Sequence, residues 1–303
     1  MARGIVSYDV ERKRGGLSTL VYDTLGEVLA GRAASSGRTA LDVVDVGAGT
    51  GGYAVRVAAL GHLVTVVDPS PDALTAANWR ATELGVTLTA IQGEAADLPG
   101  IVGEDAADLV VCHNVLEYVE DPVAAMAAIA RVLRPGGTVS VLAANVVGAI
   151  LQRALAGRYD EARRMLGADA AGPTGQAAAV APGSAAPAPV APASAVSAPA
   201  VPASTVPAST VPASTVPAPT VPASVPAPAD HRRFTRAELT GLIEGAGLRV
   251  GEVRGVRVFS GLMPGGALAD PDAAEALREL EEAAASYPAL RDIAARLHVL
   301  GHR

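Results

Sequence analysis

Leu41-Asp42-Val43-Val44-Asp45-Val46-Gly47-Ala48-Gly49-Thr50-Gly51-Gly52 is the stretch that decides the fold. A β-type run, Leu41 to Val46, leads directly into a glycine-rich turn, and Gly52 to Leu60 then reads as a helix. Glycines at 47 and 49 let the backbone approach a ligand closely, while the N-terminus of the following helix offers unpaired N–H groups and positive potential. An anionic or polar group is expected there. A second run, Leu63 to Val67, ends at Asp68, 23 residues after Asp45. A carboxylate so placed accepts both hydroxyls of a ribose. A glycine turn alone is compatible with mere packing; strand, turn, helix, second strand and acid together predict a nucleoside site.

The pattern continues outward. Thr87 to Ile91, Ala107 to Cys112 and Thr138 to Leu142 read as further strands, rich in Val, Leu and Ile as buried parallel strands are. Pro71 to Leu84 and Pro122 to Leu133 read as helices, the second closed by Arg134-Pro135-Gly136-Gly137, a stop signal. Thr235 to Ala246 reads as a helix opened by a Thr cap with Glu238 three residues on. Arg249 to Val258 and Arg296 to His302 supply late strands around an Ala/Glu/Leu-rich helix from Asp272 to Ser286. Such alternation predicts an α/β fold with a doubly wound, mostly parallel sheet between two helical layers.

Fourteen of the 22 prolines of this 303-residue chain fall between Pro173 and Pro228, and residues 170 to 229 hold no charged or aromatic side chain. From Val201 the unit Val-Pro-Ala-Ser-Thr repeats three times, then degenerates. Proline at this spacing favours extended polyproline conformation and presents no periodic face to bury. Residues 170–230 are therefore expected to be a low-complexity, disordered insertion in one domain made of 1–169 and 231–303, a size at which a single core suffices.

The net charge of −7 argues against broad nucleic-acid binding, but its distribution is uneven. Arg153, Arg158, Arg163 and Arg164 precede the Pro-rich segment and Arg232, Arg233 and Arg236 follow it, leaving room for a local anion-binding face beside the ordinary reading of a solvated helix surface. The charged stretch Met1 to Gly16 has no apolar core of a secretory signal. The lone Cys112 sits in an apolar run, as a buried thiol in a reducing compartment does. No membrane span and a cytoplasmic location are expected.

The acid before the first glycine gives Asp-x-Gly-x-Gly, which resembles the class I S-adenosylmethionine-dependent methyltransferases more than nicotinamide dehydrogenases. Cys112-His113-Asn114-Val115-Leu116-Glu117-Tyr118-Val119-Glu120-Asp121-Pro122, the pattern from Asn145 to Asp160, Gly255-Val256-Arg257-Val258-Phe259 and Leu297-His298-Val299 are similar to the tRNA 5-carboxymethoxyuridine methyltransferases. The resemblance spans most of the chain outside 170–229. It implies the Rossmann-like class I fold, S-adenosyl-L-methionine as cofactor, tRNA as partner and methyl transfer to a wobble-uridine carboxylate. It further implies that Asp45, Gly47 and Gly49 cradle the donor, that Asp68 holds the ribose and that Asp97 contacts the adenine amine. Where members of the group carry Leu-Arg in the first helix, with the Arg reaching the methionine carboxylate, this chain has Leu17-Ser18. That contact is either lost or supplied by Arg12, Lys13 or Arg14, of which Arg14 is the nominee.

Several side chains admit two readings. His113 either contacts the donor or caps its strand. His113 and Glu117 are four apart, as two ligands on a helix would be, but no third ligand has recognisable spacing, so no metal is expected. Tyr118 and Trp79 read as packing residues. Arg257 either aims its guanidinium at a carboxylate or phosphate or is solvated, and Asn145 is its companion as a positioning candidate. An ionised carboxylate acceptor needs no general base, so none is assigned. A small-molecule O- or C-methyltransferase and a non-catalytic binding module remain open on the same fold.

Overall fold

The computed structural model describes residues 19–170, 231–263 and 271–303. Arg12, Lys13, Arg14, Leu17, Ser18 and the repeats of the Pro-rich segment lie outside them. A seven-stranded sheet of order β3-β2-β1-β4-β5-β7-β6 runs through the described residues. Its strands are β1 (Asp42–Val46), β2 (Leu63–Asp68), β3 (Thr89–Gln92), β4 (Ala107–His113), β5 (Leu133–Ala144), β6 (Arg249–Val256) and β7 (Arg296–His302). β1 pairs in parallel with β2 and β4, β2 with β3 and β4 with β5, whereas β7 lies antiparallel between β5 and β6. The mostly parallel, doubly wound fold expected from the alternation is therefore present.

Alternating side chains sort the two faces, as the period of a strand requires. Val44 and Val46 of β1 and Val110 and Cys112 of β4 enter one core, with Met126 and Ile129 of α5 (Pro122–Val132) and Leu239 and Ile243 of α8 (Arg236–Gly245). Val43, Leu109 and Val111 enter the other, with Leu25 and Leu29 of α1 (Thr19–Ser36), Val57 of α2 (Ala54–Ala59) and Leu74 of α3 (Pro71–Leu84). α4 (Leu98–Val102) adds Leu98 to the first face. Capping follows the sequence: Ser70 accepts the Ala73 N–H ahead of α3, and Thr235 and Glu238 form a reciprocal capping box at α8. Two further helices, α6 (Val146–Leu155) and α7 (Tyr159–Ala170), follow β5, and α9 (Pro271–Ala285) and α10 (Pro288–Arg291) follow β6.

One boundary differs in kind. Arg134-Pro135-Gly136-Gly137 ends α5 as expected, but it belongs to β5 rather than preceding it. Ala107 pairs with Leu133 and Leu109 already with Thr138, so the segment is a bulge, with Gly136 at φ 76° supplying the left-handed residue it needs. At this N-terminal end of the strands the Asp108 carboxylate is buried. It accepts from Arg32 Nε (3.0 Å), from Arg38 and Arg134, and from the Asp42 N–H (3.0 Å), while Arg38 and Arg134 also reach Asp42 at 2.7 and 2.8 Å. This network ties β1, β4 and β5 at the end opposite the glycine turn.

Candidate functional site

The glycine turn leaves the C-terminal end of β1 with Gly47, Gly49 and Gly51 at φ 60°, 53° and 69°. Only glycine visits this region without strain. A Cβ on Gly47 would stand 2.5 Å from Val115 Cγ2 and one on Gly51 2.7 Å from Ala77 Cβ, whereas one on Gly49 would meet nothing within 4 Å. Gly47 and Gly51 are thus glycines because protein surrounds them, and Gly49 faces open space where a ligand fits against bare backbone.

Asp68 closes the turn from the end of β2. Its Oδ2 accepts the Gly49 N–H and its Oδ1 the Ser70 N–H, both at 2.9 Å. Each oxygen keeps a lone pair for a ribose hydroxyl, so the residue both shapes the turn and presents acceptors. Asp45 is buried beside it. No hydrogen-bond partner for its carboxyl occurs among the described residues, and burial, reinforced by the Asp68 charge, pushes it up to about 7. A cationic group entering there would favour its ionised form. Asp97 ends the 3-10 turn Ala95–Asp97 after β3 and is exposed. These residues offer what an adenosyl donor with a positive centre requires: backbone N–H groups, ribose acceptors and buried negative charge.

His113 ends β4. Its Nε2 is 2.8 Å from Ser140 Oγ, which is 2.7 Å from His298 Nε2, and its ring lies 6.0 Å from that of Tyr53. Burial holds His113 well below the usual histidine range and His298 down to about 4, so both rings are neutral. A hydroxyl has one proton, so Ser140 donates to one ring and accepts from the other. Tyr53 stacks on Tyr22 of α1 at 5.2 Å, linking α1, the glycine turn's helix and β4. The strand-capping reading of His113 thus has a specific partner in Ser140, and its contact with Tyr53 places the ring beside the start of α2.

Beyond β4 the loop from Asn114 to Val119 packs on the glycine turn through Val115. Asn114 adopts φ 58°, a left-handed conformation that asparagine tolerates better than most residues. Glu117 is buried. Its Oε1 accepts the Ala144 N–H at 2.8 Å, its Oε2 has no partner among the described residues, and burial raises its carboxyl above the usual range. Tyr118 and Trp79 are exposed, contrary to the packing roles expected of them; the Tyr118 ring instead meets that of His231 at a tilt of 57°, 4.3 Å between centroids. No group of three or more His, Cys, Asp or Glu side chains is arranged to hold a metal among the described residues.

The two positioning candidates separate. Asn145 caps α6, its Oδ1 accepting the Val147 N–H while both Nδ2 protons go to the Asp292 and Ala294 carbonyls. It is buried, and both amide protons are used in closing α6 onto the backbone at 292–294. Arg257 is exposed, with φ 60° and no ion-pair partner among the described residues. The next three N–H groups, of Val258, Phe259 and Ser260, all bind the buried carboxylate of Glu281 at 2.7, 3.1 and 2.7 Å, and this fixes the turn that carries Arg257. By contrast Arg153 and Arg158 pair with Glu161, Arg163 with Asp160 and Arg236 with Asp292, so much of the charge around the Pro-rich segment is neutralised locally.

Residues 44–141, from β1 to β5, match the methyltransferase domain family. The chain is 33% identical over 143 residues to the tRNA 5-carboxymethoxyuridine methyltransferase of Escherichia coli, covering 46% of this chain and 53% of the relative. It is 34% identical over 119 residues to the ubiquinone biosynthesis O-methyltransferase of Xanthomonas campestris, covering 38% of this chain and 48% of the relative. The chain thus spans about half the length of the curated relatives it matches. Among solved structures, a SAM-dependent methyltransferase from Aquifex aeolicus superposes with a TM-score of 0.43 at 11% identity, covering 86% of this chain and 81% of the other. The matched segment holds the glycine turn, Asp45, Asp68 and His113, and these likenesses support a class I S-adenosylmethionine-dependent methyltransferase.

Proposed function

We propose that the chain transfers the methyl group of S-adenosylmethionine to the carboxylate of 5-carboxymethoxyuridine at the wobble position of tRNA. The observation that carries this reading is Arg257, which is exposed at the C-terminal end of β6 on a turn held by Glu281 and makes no ion pair among the described residues. The name of the Escherichia coli relative supports the same acceptor. β6 and β7 complete the sheet begun before the Pro-rich segment, which supports a single domain interrupted by an insertion at 170–230. A cytoplasmic location goes with a tRNA substrate.

When bound, S-adenosylmethionine supplies a methyl already activated by the sulfonium charge. The chain's part is placement, since holding nucleophile and methyl about 3 to 3.5 Å apart in line provides most of the acceleration. Gly49 and Asp68 hold the adenosyl half, and Asp45 supplies negative charge beside them. Arg14 or a neighbour takes the methionine carboxylate. A carboxylate acceptor is ionised at neutral pH, so Arg257 orients it and no proton has to move.

A second reading is O- or C-methylation of a small molecule on the same fold. The 34% identity to a ubiquinone biosynthesis O-methyltransferase accords with it. Radiolabelled methyl from the donor, offered with tRNA bearing 5-carboxymethoxyuridine and separately with a catechol, decides between them. Label in tRNA is expected. Label in the catechol alone selects the second reading, and saturable S-adenosylhomocysteine binding with label in neither selects a non-catalytic binding module.

A further inference from the structure

We infer that Arg296 is an acceptor-binding residue, held at the edge of the donor site by Asn114 and Glu117 and presenting its remaining donors to an anionic group on the methyl acceptor. The inference rests on the proposed anionic acceptor and adds the residue that selects for it.

The placement follows from register. Arg296 opens β7, opposite Ala144 at the end of β5 and Val256 at the end of β6. Arg257 is the next residue after Val256, and its carbonyl accepts the Ala295 N–H at 3.2 Å. The backbones of Arg257 and Arg296 therefore lie one register step apart at the ends of neighbouring strands. Both lie at the end of the sheet where β1 and β4 deliver the glycine turn and His113.

The mount is built from the loop after β4. Arg296 Nη1 donates to Asn114 Oδ1 and stands 3.7 Å from Glu117 Oε1. Asn114 holds its left-handed conformation while its own N–H is bonded to the Leu142 carbonyl at 2.7 Å. Glu117 is buried with one oxygen fixed by the Ala144 N–H and the other without a partner among the described residues. A buried carboxylate left half-satisfied is costly unless a cation compensates it, and Arg296 is the ion-pair partner the described residues give it. Val115, between Asn114 and Glu117, packs on Gly47, so the mount is joined to the donor turn itself.

Arg296 keeps capacity after these contacts. A guanidinium has five N–H donors in a planar fork suited to a carboxylate, and neither Nε nor Nη2 of Arg296 has a hydrogen-bond partner among the described residues. The side chain is 35% exposed, which leaves it reachable at the edge. The cluster at the other end of the strands contrasts with it: Arg32, Arg38 and Arg134 are bound to Asp108 and, for two of them, to Asp42.

The test compares the wild-type chain with Arg296→Gln and Arg296→Lys. Transfer is measured to tRNA bearing 5-carboxymethoxyuridine, with S-adenosylhomocysteine affinity measured alongside by calorimetry. The expected result is a loss in kcat/KM toward tRNA of about 30-fold or more in R296Q, carried mainly by KM. R296K should retain part of the activity as a point charge without the fork, with donor affinity unchanged in both. Equal transfer by R296Q and wild type overturns the inference and leaves the proposed function standing; loss of donor affinity in step with transfer also overturns it, by making Arg296 a support of the donor turn. Failure of the wild type to label tRNA refutes the function instead. The role of Arg296 is then decided by binding of the free 5-carboxymethoxyuridine nucleoside to the S-adenosylhomocysteine complex. Saturable binding that R296Q abolishes upholds it, and its absence from the wild type overturns it.

Discussion

The Asp68 carboxylate accepts the N–H of Gly49 at 2.9 Å, so the residue nominated to hold a ribose also holds the turn on which the ribose would rest. Asp68→Ala is accordingly predicted to weaken S-adenosylhomocysteine binding by about 1.5 to 3 kcal/mol, the scale of charge-assisted hydrogen bonds, and to lower the unfolding midpoint as the Gly49 and Ser70 N–H groups lose their acceptor. Calorimetry and thermal denaturation read the two effects separately. Unchanged affinity would show that the ribose is held elsewhere.

Asp45 predicts a proton linkage. Burial raises its carboxyl from 3.8 to about 7, the Asp68 charge adding to the effect. The native state therefore keeps a proton there that the unfolded chain releases, and the contribution to stability falls as pH rises from about 4 to about 7. A positively charged ligand favours the carboxylate, so donor binding near pH 6.5 should expel a proton. Calorimetry in buffers of differing ionisation enthalpy measures this release, and Asp45→Asn should abolish it. A release that persists in the variant assigns the proton to another group.

The turn glycines should fail in different ways. Gly47→Ala drives a methyl onto Val115 in a backbone region alanine disfavours and is predicted to cost about 1 to 3 kcal/mol of stability, visible as a lower midpoint in urea. Gly49→Ala meets no protein atom within 4 Å. It carries only the left-handed penalty of about 1 to 2 kcal/mol, yet it should weaken donor affinity by more than that penalty because its methyl enters the ligand's space. Equal effects of the two on affinity and stability would contradict this division.

Asp108→Asn is predicted to destabilise the fold by about 3 to 5 kcal/mol, because it leaves Arg32 at a buried site without its charge partner and Arg38 and Arg134 with Asp42 alone. The carboxyl sits below its usual range: burial opposes ionisation, but the Asp42 N–H and the arginines outweigh it. Its stabilisation is thus complete above about pH 4 and disappears as acid protonates it. The variant should therefore show a flatter acid limb in thermal denaturation than the wild type. A midpoint within a degree of wild type would show that the network is dispensable.

The candidate donor half is legible because it is local. Asp45, Gly47, Gly49 and Asp68 lie within one strand–turn–helix–strand unit, where spacing alone constrains geometry. The acceptor edge was legible only in part. Arg257 stands out in its motif, whereas the amide of Asn145, a positioning candidate by sequence, closes α6 onto the backbone at 292–294, a use no spacing reveals. Ser140, Tyr22, Asn114 and Arg296 were not singled out, because their partners are brought near by strand order. His298 lies 158 residues from Ser140, and nothing in either neighbourhood signals the other. Glu281 was hidden for the same reason: its carboxylate looks like one more acid on an exposed helix until three peptide groups of a distant turn converge on it.

β7 occupies an interior slot of the sheet, yet it comes last in sequence among the seven strands. During synthesis β5 must wait with an unpaired edge, and β6 has no neighbour at all, until residues 296–302 clear the ribosome. The nascent protein is consequently sticky over that interval, and premature termination before Arg296 would leave an open ladder prone to self-association rather than a slightly shorter enzyme.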